Sequence, residues 1–446
     1  MSTPTNSAGT VFSPEGMRQL LLGSYDAAVA AACPLKIVAG HLPTHEHIRQ
    51  YKRTWVIGAG KAAASMAMAV EQHWPSDASL QGLVITRYGH GLPCQRISVI
   101  EAGHPVPDEA GEKAAQAIFD MAANADSDDL VLVLVSGGGS SLLSLPANDI
   151  SMADLKLLTK QLLASGAPIQ DMNVVRKHLS RIQGGRLAQA CRAPMITLVI
   201  SDVVGDDLSA IASGPTVPDP STYADAVAIL EKFKVIPPAS IATRLARGVA
   251  GSESETPKAG DACFAGSHSY LIATAKASLA AAAQLFTNTG FRILVLGDDI
   301  EGEAREVGAD FAQRLEAFVS DAGGLPLAVI SGGECTVTLN GHAGRGGRCT
   351  EFLLGFADRL QNADREPFAN RVYALAADTD GIDGSEDNAG ALLTPNTLDR
   401  ALASSLQTKD YLAGNDAYGY FEALGDLVVK GPTLTNVNDY RVIVIT

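Results

Sequence analysis

The sequence has few cysteines, and none of them occurs in a paired spacing. Its 446 residues include six cysteines, and no two of these form a C-x-x-C motif. Zinc sites and disulfide-stabilised folds depend on such spacings, so neither is expected. We expect reduced cytoplasmic thiols instead. The chain also has no run rich in lysine or arginine: 34 basic residues stand against 49 acidic ones, for a net charge of −15. This balance argues against nucleic acid as a partner.

Long apolar runs are absent as well. No stretch reaches the roughly 18 uninterrupted apolar residues of a membrane span, and residues 1–13 lack the basic patch and apolar segment of a signal peptide. The sequence therefore predicts a cytoplasmic protein without membrane segments. Apolar residues make up 46% and charged residues 19%, the composition of a packed globular protein. The length of 446 residues exceeds one typical core, so two domains are expected.

Short apolar runs alternate with alanine-rich segments along the chain. Alanine-rich segments such as 61–72 and 111–123 favour helix. Residues 251–260 (GSESETPKAG) have the small, polar composition of an exposed connection. This βαβ rhythm predicts an α/β protein with domains at residues 1–250 and 251–446. Continuous apolar runs predict buried strands, and we expect those in the first half of the chain to be parallel. The predicted strands lie at residues 55–57, 83–85, 130–135, 196–200, 293–296, 327–330, 372–377 and 442–445.

Residues 131–141 and 328–334 each contain a short apolar run that is directly followed by a glycine-rich turn. Glycines at the end of a parallel strand let backbone N–H groups approach phosphate oxygens, because no Cβ blocks the way and positive φ is accessible. The pair of turns therefore predicts anion chemistry between two lobes.

Residues 58–64 (GAGKAAA) satisfy the dinucleotide pattern G-x-G-x-x-A after a strand. An NAD site would carry an acid at the end of the next strand, but that run ends in Thr86 and Arg87, so NADP remains open and NAD is disfavoured. Lys61 lies in the first turn of the following helix, where the helix dipole disfavours a cation. A nearby anionic ligand would explain it, and the alternative is a solvated surface lysine.

Acidic residues follow two further strands. Asp202 begins an acidic loop with Asp206 and Asp207, and three carboxylates suit a hard cation such as Mg²⁺. An acidic surface loop with a helix-capping aspartate is the alternative. Residues 377–384 (ADTDGIDG) offer Asp378 and Asp380 after another strand, where magnesium, or a carboxylate that orients an attacking hydroxyl, fits better than a calcium loop.

Two arginines stand among four glycines in residues 341–348 (GHAGRGGR). Arg345 and Arg348 could give paired donors to phosphate or carboxylate oxygens, while the glycines let the backbone turn closely around the anion. A surface hairpin is the alternative.

At these residues the chain resembles glycerate 2-kinases of the class whose C-terminal half is the "multi-organism fragment with rich leucine" domain. Members often carry the label hydroxypyruvate reductase, which keeps an NAD(P)H-dependent reductase as the alternative. A non-catalytic nucleotide or sugar-acid sensor also stays open. The matching segments occur in order at residues 58–61, 103–108, 136–141, 173–180, 201–207 with 213–215, 331–334 with 344–348, and 380–384. Residues 431–439 match as well and could support the site of Asp378 and Asp380, with a plain turn as the alternative.

The resemblance implies phosphorylation of the 2-hydroxyl of D-glycerate by ATP and Mg²⁺. The site would be a cleft between a Rossmann-like N-terminal domain, a parallel sheet with helices on both faces, and a C-terminal α/β domain. The substrate is then a small molecule, and a homodimer is compatible with the sequence. The implied site residues are Lys61, Arg348 and Asp380 for catalysis, Gly60, Ser136, Gly137, Gly138, Gly139, Ser140 and Ser141 for the nucleotide, Asp202 and Asp378 for the metal, and Arg345 and Lys177 for the substrate.

Three positions depart from the family pattern. Cys349 and Thr350 stand where asparagine and glutamine are common, and Gln183 stands where a lysine is usual, with Arg186 as a candidate to replace its charge. Substrate preference is therefore open. His178 is interpreted as a structural hydrogen-bonding residue and is left out of the site.

Overall fold

The computed structural model describes residues 13–339, 341, 344–362 and 370–446, and these form two units. The N-terminal unit comprises Ala31–Ala275 and Leu434–Val437, and the C-terminal unit comprises the described parts of residues 1–30, 276–433 and 438–446. Residues 1–12, and His342 and Ala343 of the glycine–arginine motif, lie outside the described ranges.

The observed division differs from the predicted boundary at residue 250. The polar segment 251–260 is a loop within the N-terminal unit, and the chain returns to that unit's sheet at His268–Ala273. The first helix, α1 (Pro14–Ala31), packs instead into the core of the C-terminal unit through residues such as Leu21. A polar, loop-like composition marks an exposed segment, and such segments also occur inside domains.

The N-terminal unit is built on a six-stranded sheet in the order β3-β2-β1-β4-β5-β6, and all neighbouring pairs are parallel. This is the strand order of dinucleotide-binding folds, in which the chain reverses direction across the sheet between β1 and β4. The strands are β1 (Thr54–Ala59), β2 (Gln81–Arg87), β3 (Ile97–Ala102), β4 (Leu130–Val135), β5 (Met195–Ile200) and β6 (His268–Ala273).

Helices cover both faces of this sheet. Leu132 packs with Met66 of one helix on one face, and its neighbour Val133 packs with Ile118 of another on the opposite face. Because both faces are buried, the strand is apolar throughout rather than alternating. The helices of this unit are α2 (Pro34–Ile37), α3 (His45–Ile48), α4 (Ala63–His73), α5 (Glu109–Ala123), α6 (Gly139–Leu142), α7 (Met152–Ala164), α8 (Ile169–His178), α9 (Arg186–Ala190), α10 (Tyr223–Lys232) and α11 (Ala239–Val249), with 3₁₀ turns at Val38–His41, Ile211–Ser213 and Ala262–Phe264.

The C-terminal unit has a mixed six-stranded sheet in the order β13-β12-β11-β14-β9-β7 and a short parallel pair, β8 with β10. Only β7 and β9 run parallel in the larger sheet. The alternation of strands and helices in the sequence did not predict these antiparallel pairs, because apolar runs do not encode strand direction. The strands are β7 (Arg292–Gly297), β8 (Gly302–Glu303), β9 (Leu327–Gly333), β10 (Cys335–Thr336), β11 (Val372–Asp378), β12 (Gly390–Leu393), β13 (Leu427–Val428) and β14 (Asp439–Ile445).

Two cores lie on the two faces of this second sheet. Val329 packs with Phe352 and Phe356 on one face, while Ile330 packs with Leu21 and Phe286 on the other. The prediction of an α/β protein with two domains is confirmed. The helices are α12 (Ala275–Asn288), α13 (Ala304–Gln313), α14 (Leu315–Asp321), α15 (Arg348–Asn362), α16 (Thr397–Ala403), α17 (Thr408–Ala413) and α18 (Ala417–Leu424).

Among the described residues, no single helix is long and apolar enough to cross a membrane, although Pro14–Ala31 and Pro34–His41 have sufficient length and apolar content when taken together.

Helices α13 and α15 touch through their backbones. A Cβ on Gly308 would collide with the carbonyl oxygen of Phe352, and one on Gly355 would collide with that of Arg305. Glycine is otherwise unfavourable inside a helix, so both residues are explained by the close approach.

We predict that Gly308→Ala lowers the free energy of unfolding by about 1–3 kcal/mol, because the added methyl group must push the two helices apart. Urea unfolding followed by circular dichroism measures the change. Gly23→Ala is the matched control, since Gly23 also lies in a helix and its Cβ would meet only Leu285 at 3.7 Å. Equal unfolding midpoints for the two variants would contradict this account.

Candidate active site

The glycine turn after β4 lies beside the turn after β1. The two strands pair in register up to Ala59 and Val135, so the residues that follow leave the sheet side by side. The Lys61 amide donates to the carbonyl of Gly137 at 2.8 Å, and the amide of Ala62 donates to Ser136 Oγ at 3.0 Å. Residues from two predicted motifs thus form one compact structure at the carboxyl edge of the sheet, where open α/β sheets bind ligands.

Glycine is required in both turns by the space available. A Cβ on Gly60 would collide with the side chain of Ser136, and Gly60 has a φ of +145° that few other residues adopt. Gly138 has a φ of +79° and precedes the single helical turn α6. The backbone here is close-packed and carries no side chain that would block an approaching anion.

Asp202 reaches the same turn from β5. Its carboxylate packs so closely on Gly137 that a Cβ there would collide with it. Asn436, from the segment 434–437 that belongs to this unit, donates from Nδ2 to Asp202 Oδ2 at 3.3 Å. The structure therefore brings together the predicted metal residue and the predicted nucleotide turn. It adds Asn436, from the segment 431–439 that the sequence suggested as support for Asp378 and Asp380 rather than for Asp202.

His104 lies against the other side of the turn. A Cβ on Gly138 would stand 2.9 Å from His104 Nε2 and 3.5 Å from Lys61 Cγ. The imidazole and the lysine stem therefore flank one glycine. His104 was not among the predicted site residues, although the matched segment 103–108 contains it.

A network of polar side chains supports the end of the glycine turn. Ser140 Oγ lies 2.9 Å from Ser213 Oγ, and Ser213 Oγ lies 3.4 Å from Asn173 Oδ1. Gln183, which is buried, donates to the carbonyl of Ser140 at 2.8 Å. Gln183 thus has a structural role where the family commonly has lysine. Arg186 does not replace that charge here, since it donates to Tyr223 Oη and to the carbonyl of Ser254.

Lys177 does not join these residues through its side chain. Its Nζ lies 3.3 Å from Asp219 Oδ1, and both side chains are buried. Burial alone would raise the pKa of Asp219, but Lys177 and hydrogen bonds from Ser221 hold it below its usual range. The structure therefore gives Lys177 the role of a buried ion-pair partner rather than the predicted one in substrate binding.

Arg348 is surrounded by carboxylates in the C-terminal unit. Its guanidinium lies 2.6 Å from Asp439 Oδ1, 2.7 Å from Asp378 Oδ2 and 3.4 Å from Glu334 Oε1. Burial alone would lower the pKa of Arg348, but Asp439, Asp378 and Glu334 raise it well above its usual range. Arg348 is thus permanently charged and fixed in position.

Asp439 is the common partner of two arginines. Its second oxygen accepts from Arg441 Nη2 at 2.5 Å, and Arg441 also donates to the carbonyl of Gly332 at 3.1 Å. In the sheet Asp439 pairs with Asp378 on one side and with Gly333 on the other. One buried carboxylate therefore links Arg348, the end of β11 and the second glycine turn. Arg441 was missed as a site residue because only the strand pairing brings it here, whereas Asp439 ends the segment 431–439 that the sequence suggested as support for this site.

Asp380 and Asp383 have different environments. Asp380 is buried, and its Oδ1 accepts from the amide of Ile382 at 2.9 Å. Asp383 caps α15 by accepting from the amides of Cys349 and Thr350 at 2.9 and 2.8 Å. Burial raises the pKa of Asp383 despite these donors. The capping geometry assigns Asp383 to the helix terminus.

Arg345 is exposed, and its partners differ from those of Arg348. Its Nε lies 2.8 Å from Glu386 Oε2, and its guanidinium stacks 3.7 Å above the ring of Tyr418. Within the described ranges, no group of three or more histidine, cysteine, aspartate or glutamate side chains is arranged to hold a metal ion.

We predict that Asp439→Asn lowers the free energy of unfolding by about 3–5 kcal/mol, because Arg441 would remain buried without its carboxylate. Glu334→Gln makes the same chemical change at a carboxylate that is 54% exposed, and it should cost no more than about 0.5 kcal/mol. Urea unfolding of both variants measures the difference. Similar losses would refute the central position of Asp439.

For Lys177→Met we predict a loss of about 3 kcal/mol, because Asp219 would be left buried and unpaired. Lys177→Met combined with Asp219→Asn should recover part of that stability, since no uncompensated charge remains. Thermal unfolding checks both variants. A single variant as stable as the parent would support the original interpretation of Lys177 as a substrate-binding residue.

Comparison with known proteins identifies relatives over almost the whole chain. Residues 20–246 match a domain of unknown function, DUF4147, and residues 327–439 match the MOFRL family. A provisionally named hydroxypyruvate reductase of Agrobacterium vitis is 48% identical over 96% of this chain and 94% of its own. A glycerate 2-kinase of Pyrococcus horikoshii is 37% identical over 88% of each chain.

A solved structure agrees with these matches. The glycerate kinase of Thermotoga maritima superposes with a TM-score of 0.83 at 34% identity, covering 97% of this chain and all of its own. The chain therefore belongs to the family with DUF4147 and MOFRL domains that includes the glycerate 2-kinases.

Proposed function

We propose that this protein is a glycerate 2-kinase, which transfers the γ-phosphoryl group of ATP to the 2-hydroxyl of D-glycerate and forms 2-phosphoglycerate and ADP. The observation that carries the proposal is the arrangement at the carboxyl edge of the first sheet. There, Lys61, the glycine turn and Asp202 occupy the ends of β1, β4 and β5. The 37%-identical glycerate 2-kinase of Pyrococcus horikoshii supports the assignment of substrate.

The glycine turn is the proposed binding site for the nucleotide phosphates. Gly60 and residues 136–141 would surround the phosphates, with the amides of Gly137, Gly138 and Ser140 as the proposed donors. The amides of Gly60, Ser136, Gly139 and Ser141 already donate to backbone carbonyls and would shape the turn. Lys61, whose stem packs on Gly138, would then neutralise charge that develops on the transferred group. Phosphoryl transfer depends mainly on such positioning and electrostatic stabilisation.

Asp202 is the proposed ligand for magnesium. Mg²⁺ commonly uses one or two carboxylates together with substrate phosphates and water, and Asp202 presents a carboxylate directly at the phosphate turn. Asp202 would thereby hold a divalent charge beside the phosphates, which would offset their negative charge. Asp378, the other acid expected to bind metal, already pairs with Arg348, which supports a role in fixing that arginine instead.

The C-terminal residues would act on the same reaction. Arg348 is the proposed second cation for the transferred group, held by Asp439 and Asp378. Asp380 is the proposed carboxylate that orients the attacking hydroxyl. Arg345 is more exposed than Arg348 and is proposed as a contact for the substrate, in exchange for its ion pair with Glu386.

The activity is tested by following ADP formation from magnesium-ATP with D-glycerate and identifying the phosphorylated position, beside a parallel assay of NADPH oxidation with hydroxypyruvate. ADP formation with 2-phosphoglycerate as product is the expected result. Oxidation of NADPH without ADP formation would overturn the proposal in favour of the reductase.

We predict that Lys61→Ala lowers kcat by about 10²–10³-fold, the usual cost of removing one preorganised charge at a reacting centre. Lys113→Ala is the control, since Lys113 lies on the surface of α5 and pairs with Glu109 there. Circular dichroism of both variants verifies that the fold is intact. Unchanged turnover in Lys61→Ala would remove this residue from the mechanism.

A further inference from the structure

Helix α8 ends in three successive basic residues, Arg176, Lys177 and His178, which differ in their hydrogen-bond and ion-pair partners. Lys177 pairs with Asp219, and His178 lies between the carbonyl of Val174 at 2.8 Å and Glu255 at 3.2 Å. Arg176 has only Asn173 Oδ1, 3.5 Å from its Nη1. No carboxylate of the described residues lies within ion-pair distance of Arg176.

Partial burial makes this isolation costly. The guanidinium of Arg176 is half-buried, and burial lowers its pKa without a neighbouring acid to raise it again. Arg348 is the opposite case, since three carboxylates raise its pKa. Arg181 also lacks an acid, but it donates to Gln116 at 2.7 Å and stacks 4.5 Å above Phe119. A guanidinium has five donors, and within the described ranges Asn173 Oδ1 is the side-chain acceptor for Arg176.

The position of Arg176 connects it to the glycine turn. Asn173, which accepts from Arg176, also accepts from Ser213 Oγ at 3.4 Å, and Ser213 Oγ lies 2.9 Å from Ser140 Oγ. Ser213 and Ala212 have φ values of +58° and +49°, a conformation that is strained for residues other than glycine. Such strain clusters at functional sites, where the surrounding structure must hold it in place.

We propose that Arg176 binds the carboxylate of the acceptor acid, in a subsite that it forms with Asn173 and Ser213. This inference rests on the proposed kinase function and deepens it. A planar guanidinium matches the two oxygens of a carboxylate with parallel hydrogen bonds. The bound carboxylate would supply the counter-charge that the protein does not. Lys61 and the glycine backbone are already available for the phosphates, so a separate cation is left for the acid.

The test compares Arg176→Met with the parent protein in steady-state kinetics, with D-glycerate and magnesium-ATP varied separately. We expect the KM for D-glycerate to rise about 10- to 100-fold, the range of a lost hydrogen bond to a charged group, while the KM for ATP stays the same. Arg176→Lys keeps the charge but loses the paired donors of the guanidinium, so its KM for D-glycerate should lie between those of the parent and of Arg176→Met. It also preserves the test if Arg176→Met folds poorly.

A second substrate isolates the carboxylate itself. D-glyceramide keeps the hydroxyls of D-glycerate but replaces the carboxylate with a neutral amide. The parent protein should strongly prefer D-glycerate, and Arg176→Met should lose most of that preference. Arg181→Ala is the matched control, a partly buried arginine with neutral partners, and it should keep both the KM and the preference.

Each outcome has a distinct meaning. A raised KM for ATP alone would overturn the proposal and assign Arg176 to the nucleotide phosphates, and unchanged kinetics would overturn it outright while the kinase function stands. If the parent protein does not phosphorylate D-glycerate, the proposed function fails first. Calorimetric titration with D-glycerate then still decides the subsite: binding that Arg176→Met abolishes supports it, and binding that the variant retains refutes it.

Discussion

The N-terminal site depends on the register of three parallel strands. Ala59 lies beside Val135, and Val135 lies beside Val199, so β1, β4 and β5 end at neighbouring points of one edge. Gly60, Ser136 and Asp202 therefore meet although the chain separates them widely. Side chains alternate between the two faces of a sheet, so a shift of one residue would turn every buried side chain to the other face. The two cores that enclose β4 thus also fix the position of the turn.

Buried charges separate structural cations from those available to a ligand. Taking a charge out of water is costly, and the protein offsets that cost inside each unit with a specific carboxylate. Lys177 has Asp219, and Arg441 has Asp439. These pairs are complete without any ligand. Arg176 is half-buried without such a partner, and this difference, rather than its residue type, is what suggests a role in binding.

Sequence patterns predicted the strands that are apolar throughout, such as β4, β5 and β11, because complete burial leaves a continuous apolar run. They missed β3 and β6, whose partly exposed residues interrupt that run at the edges of the sheet. The glycine turn and Lys61 were found for a local reason: their chemistry follows directly from a strand. Asn436 and Arg441 act through contacts between distant segments, which periodicity does not encode.

The end of β2 disfavours an NAD-dependent reductase, although Arg87 there leaves NADP open. In dinucleotide-binding sites an acid at this point binds the ribose. Here the strand ends in Thr86 and Arg87, and Thr86 Oγ1 donates to the carbonyl of Lys61 at 3.3 Å. His90 Nδ1 lies 3.4 Å from the same carbonyl. The end of β2 therefore helps to hold the turn that carries Lys61. The end of β2 supports the backbone of Lys61 in this protein, and a lysine placed beside the glycine turn fits the proposed phosphoryl transfer.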